Sequence, residues 1–159
     1  MAKELKTNAM RFLDKAKIAY TIQTYECNEF IDGIHIAETL NQPIEMTFKT
    51  LIVQGKSGEY YCFLLPVAEE LDLKKSAKSV GEKSVEMLHV KDITKVTGYV
   101  RGGCTPIGMK KQFMTVVHNS AENMDLFHIS GGRIGTQITL SPNSLVSAIR
   151  GKFDDIIMR

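Results

Sequence analysis

The apolar positions of this chain fall into short runs, and their spacing changes character repeatedly. From Thr7 to Ile18, Ala9, Phe12, Leu13 and Ala16 recur at helical spacing, with Thr7 or Asn8 as the cap. Tyr20 to Tyr25 alternates and is rich in β-formers, so it predicts a strand. A short helix follows from His35 to Leu40 and ends near Pro43. Thr47–Gln54 and Glu59–Leu65 are β-rich runs joined by Gly55-Lys56-Ser57-Gly58, which predicts a hairpin. Asp72 can cap a helix through Val80, and a further short helix should follow Lys91-Asp92 and stop near Gly98.

The second half continues in short pieces. Phe113–His118, Phe127–Ile129 and Gln137–Leu140 read as strands, and Ser120 as the cap of a short helix. Ser141-Pro142 is a strong helix start, a capping hydroxyl followed by proline at the first helical position. That helix should run to about Arg150 and stop at Gly151. Short strands and short helices without regular βαβ alternation predict a mixed α+β fold. The expected form is one domain over residues 1–159, a mixed sheet curled towards a barrel with helices outside.

Composition narrows the class. In 159 residues the apolar share is 43%, enough for a core without disulfides or metal. No apolar run approaches the roughly 20 residues that span a bilayer, and Met1 to Lys6 is too charged to open a secretory signal. A cytoplasmic protein with no membrane partner is expected, as a monomer or weak dimer. Cys27, Cys62 and Cys104 are odd in number and far apart, which fits reduced thiols. The four histidines show no ligand spacing, so neither metal nor cofactor is expected. A net charge of +2 decides nothing about nucleic acid. Lys74, Lys75 and Lys78, and likewise Lys110 and Lys111, are local clusters that could touch phosphates or simply form solvated faces.

Lys49 is the most informative single residue. It lies in Phe48-Lys49-Thr50-Leu51-Ile52-Val53, where both faces of a strand would be largely apolar. A cation near a core is costly unless an anion or acceptors meet it; the alternative is a stem that snorkels to water. Gly102-Gly103-Cys104-Thr105-Pro106 is the second candidate, because adjacent glycines let backbone approach a ligand and expose amides to an oxyanion. Cys104 invites a nucleophile reading, but no neighbouring histidine lowers its pKa, so a buried inert thiol is favoured. Asp154-Asp155 reads as exposed solubilising charge.

Taken in order, Phe48-Lys49-Thr50-Leu51, then Gly102-Gly103-Cys104-Thr105-Pro106-Ile107-Gly108-Met109-Lys110-Lys111, then Gly131-Gly132-Arg133 and Gln137-Ile138 resemble the YbaK/EbsC family. That family is similar to the editing domain inserted in bacterial prolyl-tRNA synthetases. The resemblance implies release of a misattached amino acid from tRNA, typically cysteine from tRNA(Pro). It implies aminoacyl-tRNA as the partner, with prolyl-tRNA synthetase as a second one. By motif, Lys49 would be the essential lysine and Gly102-Gly103 the loop embracing the aminoacyl group, with Lys49 and Gly103 carrying catalysis. Tyr20 and Phe30 fall at pocket positions, and Cys104, Thr105, Gly132 and Arg133 lie within the matching motifs as substrate-contacting positions.

The resemblance also explains the missing triad. A cysteinyl ester carries its own thiol, which can attack the carbonyl if the protein supplies positioning. Three other readings stay open: a deacylase for alanine or another small residue using water, a non-catalytic module binding aminoacyl-tRNA or a synthetase, and a thiol hydrolase of an unrelated ester.

Overall fold

The computed structural model describes residues 6–26 and 32–159. Helix α1 spans Asn8–Lys15 and is capped by Thr7, whose Oγ1 accepts from the Met10 amide at 3.2 Å. It is shorter than expected because Lys17 takes a left-handed φ of 59° and the Ile18 amide turns back to the Leu13 carbonyl. Strand β1 (Thr21–Thr24) and helix α2 (Gly33–Thr39) follow, the latter capped by Asp32. The hairpin forms as β2 (Phe48–Gly55) and β3 (Tyr60–Pro66). Asp72 caps α3 (Leu73–Val80) through the Lys74 and Lys75 amides.

Strand β4 (Val85–Met87) and helix α4 (Ile93–Thr97) come next, then β5 (Met114–His118), β6 (Phe127–Ser130) and β7 (Thr136–Leu140). Helix α5 (Pro142–Ile149) begins at the Ser141 cap, and β8 (Lys152–Asp154) closes the order. Two strands, β4 and β8, are absent from the sequence reading. The helical turn at Asn119–Ala121 is capped by the His118 ring accepting from the Ser120 amide, not by Ser120 itself.

The strands form two sheets, ordered β1-β7-β6 and β4-β2-β3-β5-β8. Antiparallel β2–β3 sits beside parallel β3–β5–β8, so the larger sheet is mixed as expected. It does not close into a barrel. Among the described residues the two sheets meet at a single bridge, Thr47 with His128, while β4 takes the same edge of β2 further along, at Val53–Gly55.

Strand alternation gives the larger sheet two buried faces. Phe48, Ile52, Cys62 and Leu64 point towards the smaller sheet, α1 and α5, and pack with Phe127, Ile129, Ile138 and Leu140. Phe48 meets Phe127 edge-on at 5.1 Å between ring centres, the arrangement that favours aromatic pairs. Val53, Phe63, Leu65 and Val116 point the other way, against Leu71, Ala77 and Ile156. Apolar cover on both sides explains the nearly unbroken apolar run in β2 and β3.

Candidate active site

The edge of β2 is interrupted. Thr47 bridges to β6 at one end and Val53–Gly55 pair with β4 at the other, and between them no described strand covers the edge. The Leu88 amide donates to the Ile52 carbonyl at 3.0 Å, so ladder alternation turns the Thr50 peptide groups to the same open side. A cavity of about 420 Å³ fills this gap, walled by α2, the β2 edge, the segment after β4, the Arg101–Cys104 loop and the smaller sheet. The Thr50 Oγ1 on this strand is buried with no partner among the described residues.

Lys49, Gly102 and Cys104 all line that cavity. Lys49 is half-buried, and the loss of water lowers its pKa while Glu70 and Glu69 pull it back up. Its side chain shares a strand face with Leu51 and Val53, whereas Cys104 packs with Phe48 and Ile52 on the other. Both reach one cavity because the cavity wraps a strand edge.

Gly102 adopts φ +85°, a conformation costly for any residue with a Cβ. Gly103 is turned away from the cavity. Its amide donates to the Val100 carbonyl at 2.9 Å, and a Cβ on it would stand 2.8 Å from the Arg133 Cα. The expectation that the Gly103 amide faces an oxyanion meets an amide already committed to a turn. Thr105 is fully buried with its Oγ1 unpartnered among the described residues. Burial pushes the Cys104 thiol up to about 11 and the fully buried Cys62 well above its usual value. Neither thiol is poised as a nucleophile.

Other expected positions do not reach the wall. Tyr20 sends its hydroxyl to Asp14 at 3.0 Å. Gly132 lies against Thr7, and the Arg133 Nε donates to Thr136 at 3.2 Å. Phe30 and Cys27 lie outside the described residues. The sequence reading missed several residues that do line the cavity: Tyr25, Arg101, Ser130 and Gln137. Gln137 is held by the Gln42 side-chain amide donating at 2.6 Å. The spacing of Ser130 and Gln137 on adjacent strands was readable, since paired strands put them opposite each other. Among the described lining residues the one carboxylate is Asp32, which caps α2 and is held low by the His35 amide and ring. No histidine of the described residues lines the cavity.

The Asp154-Asp155 pair is not plain surface charge. Asp155 accepts from Lys75 at 3.1 Å and Arg159 at 2.8 Å, which holds its carboxyl down at about 2. His118 Nε2 stands 3.7 Å away on the same carboxylate.

The fold is shared with solved structures at low sequence identity. A crystal structure of a hypothetical protein matches with TM-score 0.87 at 20% identity, covering 95% of this chain and 99% of that one. A protein described as a trans-editing enzyme for prolyl tRNA synthetase matches with TM-score 0.82 at 18% identity, covering 98% of this chain and all of that one, 100%. Sequence takes the comparison further. The family model for the aminoacyl-tRNA editing domain matches residues 34–148. A protein of Enterococcus faecalis that bears the name Cys-tRNA(Pro)/Cys-tRNA(Cys) deacylase EbsC is 41% identical, covering 95% of this chain and 93% of that one. A proline–tRNA ligase of Thermosipho africanus is 32% identical over 76 residues, 48% of this chain and 13% of the ligase. The chain belongs to the aminoacyl-tRNA editing domain family. Among its described residues no helix is long and apolar enough to cross a membrane.

Proposed function

We propose that this chain is a trans-editing deacylase that releases cysteine misattached to tRNA(Pro), with the substrate's own thiol as nucleophile. The observation that carries this reading is the cavity at the β2 edge, where a half-buried Lys49 faces space shared with Gly102. The relative named for cysteine removal, similar over nearly its whole length, supports the choice of amino acid.

In this reading the 3′-terminal adenosine enters the gap and Lys49 meets a phosphate or ribose oxygen of the terminus as a point charge. The partial burial that lowers the lysine's pKa makes an anionic partner favourable, since the ion pair replaces lost water. The unpaired edge of β2 near Thr50 offers donors and acceptors to the aminoacyl group. The cysteinyl sulfur then attacks its own ester carbon. The S–C bond forms, the bond from that carbon to the ribose oxygen breaks, and the thiol proton ends on the ribose hydroxyl. The cysteine leaves as its β-thiolactone, which water opens to free cysteine. Holding sulfur and carbonyl together supplies effective molarity in place of an enzyme nucleophile.

Two buried, protonated thiols and an Asp32 committed to a helix cap support assigning the nucleophile to the substrate. Selectivity follows from chemistry as well as fit, because a methylene-sized difference gives only about 1–3 kcal/mol. Alanine carries no thiol and serine a poorer nucleophile. The partial match to a proline–tRNA ligase supports work beside prolyl-tRNA synthetase.

The test is a panel of tRNA(Pro) charged with Cys, Ala, Ser or Pro, given to wild type and Cys104→Ala. The reading expects rapid release of cysteine alone, by both proteins. Equal release of alanine would favour attack by water, and loss of activity in Cys104→Ala with a trapped thioester would move the nucleophile to the enzyme.

A further inference from the structure

On the α3 side of the five-stranded sheet lies a second concavity, an open groove of about 490 Å³ between α3 and β4. Lys74, Lys78 and Lys83 line it, against one carboxylate, Glu82. Glu82 leans onto the β2–β3 hairpin, accepting from the Tyr61 hydroxyl at 2.6 Å and from Ser57. The three lysines are exposed, and no ion pair joins them to a described residue. Lys75, on the same helix, is by contrast fixed to Asp155 and the Ile157 carbonyl. Lys74 and Lys78 stand one helical turn apart, on the same face.

The groove and the active-site cavity both border β4. Val85 lines the groove and Met87 lines the cavity. The two lie on the same face of β4, about 7 Å apart at 3.3 Å per residue. Met87 pairs with Val53 on β2, and alternation puts Lys49 on that same face of the sheet. Val85 of the lysine groove, an exposed Met87 and the cation of the cavity thus lie on one face of the sheet.

We infer that this groove holds the phosphate backbone of the tRNA acceptor stem while the aminoacylated 3′ end turns past Met87 into the cavity. The inference rests on the deacylase reading and adds where the nucleic-acid body is gripped. Three clustered lysines against one carboxylate, on the sheet face that also carries Lys49, match the repeating anions of a nucleic-acid strand. A solvated helix face would not need to be concave.

The experiment compares wild type with the triple variant Lys74→Ala/Lys78→Ala/Lys83→Ala on two substrates. One is Cys-tRNA(Pro); the other is cysteine esterified to a CCA trinucleotide, which lacks the stem. The variant should lose about tenfold or more in kcat/KM on the tRNA through KM, with kcat retained at saturation. Its log–log salt slope should shrink by about 2 to 3, near one unit per phosphate contact. Cleavage of the trinucleotide ester should be unchanged, which also certifies the fold. Equal kcat/KM and equal salt slope on the tRNA would overturn the groove while leaving the deacylase reading intact. If wild type cleaves neither ester, the deacylase reading itself fails.

Discussion

Gly103 and Arg133 lie so close that a Cβ on Gly103 would stand 2.8 Å from the Arg133 Cα and 3.1 Å from its carbonyl carbon. The neighbour is backbone, which cannot swing aside. This contact locks the two glycine segments, Gly102-Gly103 and Gly131-Gly132, to each other, and through them the cavity wall bearing Gly102 and Ser130.

Gly103→Ala should therefore act through packing. A stability loss of about 1–3 kcal/mol is expected, as for other overpacked sites. That corresponds to a fall in Tm of about 2–4 °C per kcal/mol for a chain of this size. Deacylation should fall with it as the wall shifts. Thermal unfolding checks the first, and an unchanged Tm would contradict the packing role.

Lys49 should show the opposite sign in stability. Its pKa is lowered by burial, so between the folded and the ordinary lysine pKa the unfolded chain binds more protons. Stability then rises with pH through that window. At neutral pH the buried cation is a liability. Lys49→Met should accordingly be at least as stable as wild type at pH 7, with the gap narrowing as pH climbs towards 10.5. Urea titrations across that range decide it.

Asp155 follows the carboxylate rule. Its pKa is held at about 2 by Lys75 first and Arg159 after, below the unfolded value of 3.8. Its contribution is fully present above the unfolded value and lost as pH falls through the folded one. Asp155→Asn should be less stable than wild type at pH 6, and the two should converge as pH approaches 2.

Cys104 sits at the cavity wall with its thiol held protonated, at a pKa of about 11. Iodoacetamide at neutral pH should label it slowly in the folded protein and rapidly in urea. Rapid labelling of Cys104 in the folded state, read by peptide mass, would mean an activated thiol.

Much of the fold was legible because local signals agreed. The hairpin, the Asp72 and Ser141 caps and the central strands follow from alternation and capping chemistry. What stayed hidden depends on long-range pairing. Val85-Glu86-Met87 is too short to show a period, and it becomes β4 only because β2 lies beside it. β8 likewise exists through its parallel register with β5. Ser120 looked like a cap, but the ring of His118 accepts from its amide first.

The site was half legible. Lys49 stood out as a cation in an apolar strand, and its surroundings could not be read because both faces of β2 are buried. The wet feature is an edge, set by where β4 stops. Gly103 was singled out for an amide that is spent in a turn, while its tight contact with Arg133 spans two distant segments and leaves no local trace.

The most direct measurement is the single-turnover rate of cysteine release from Cys-tRNA(Pro), with wild type and Lys49→Ala side by side at equal fold content. The account predicts a loss of about 10² or more in Lys49→Ala, the scale seen when one stabilising charge or donor leaves a site. A Lys49→Ala protein that releases cysteine at the wild-type rate would contradict it.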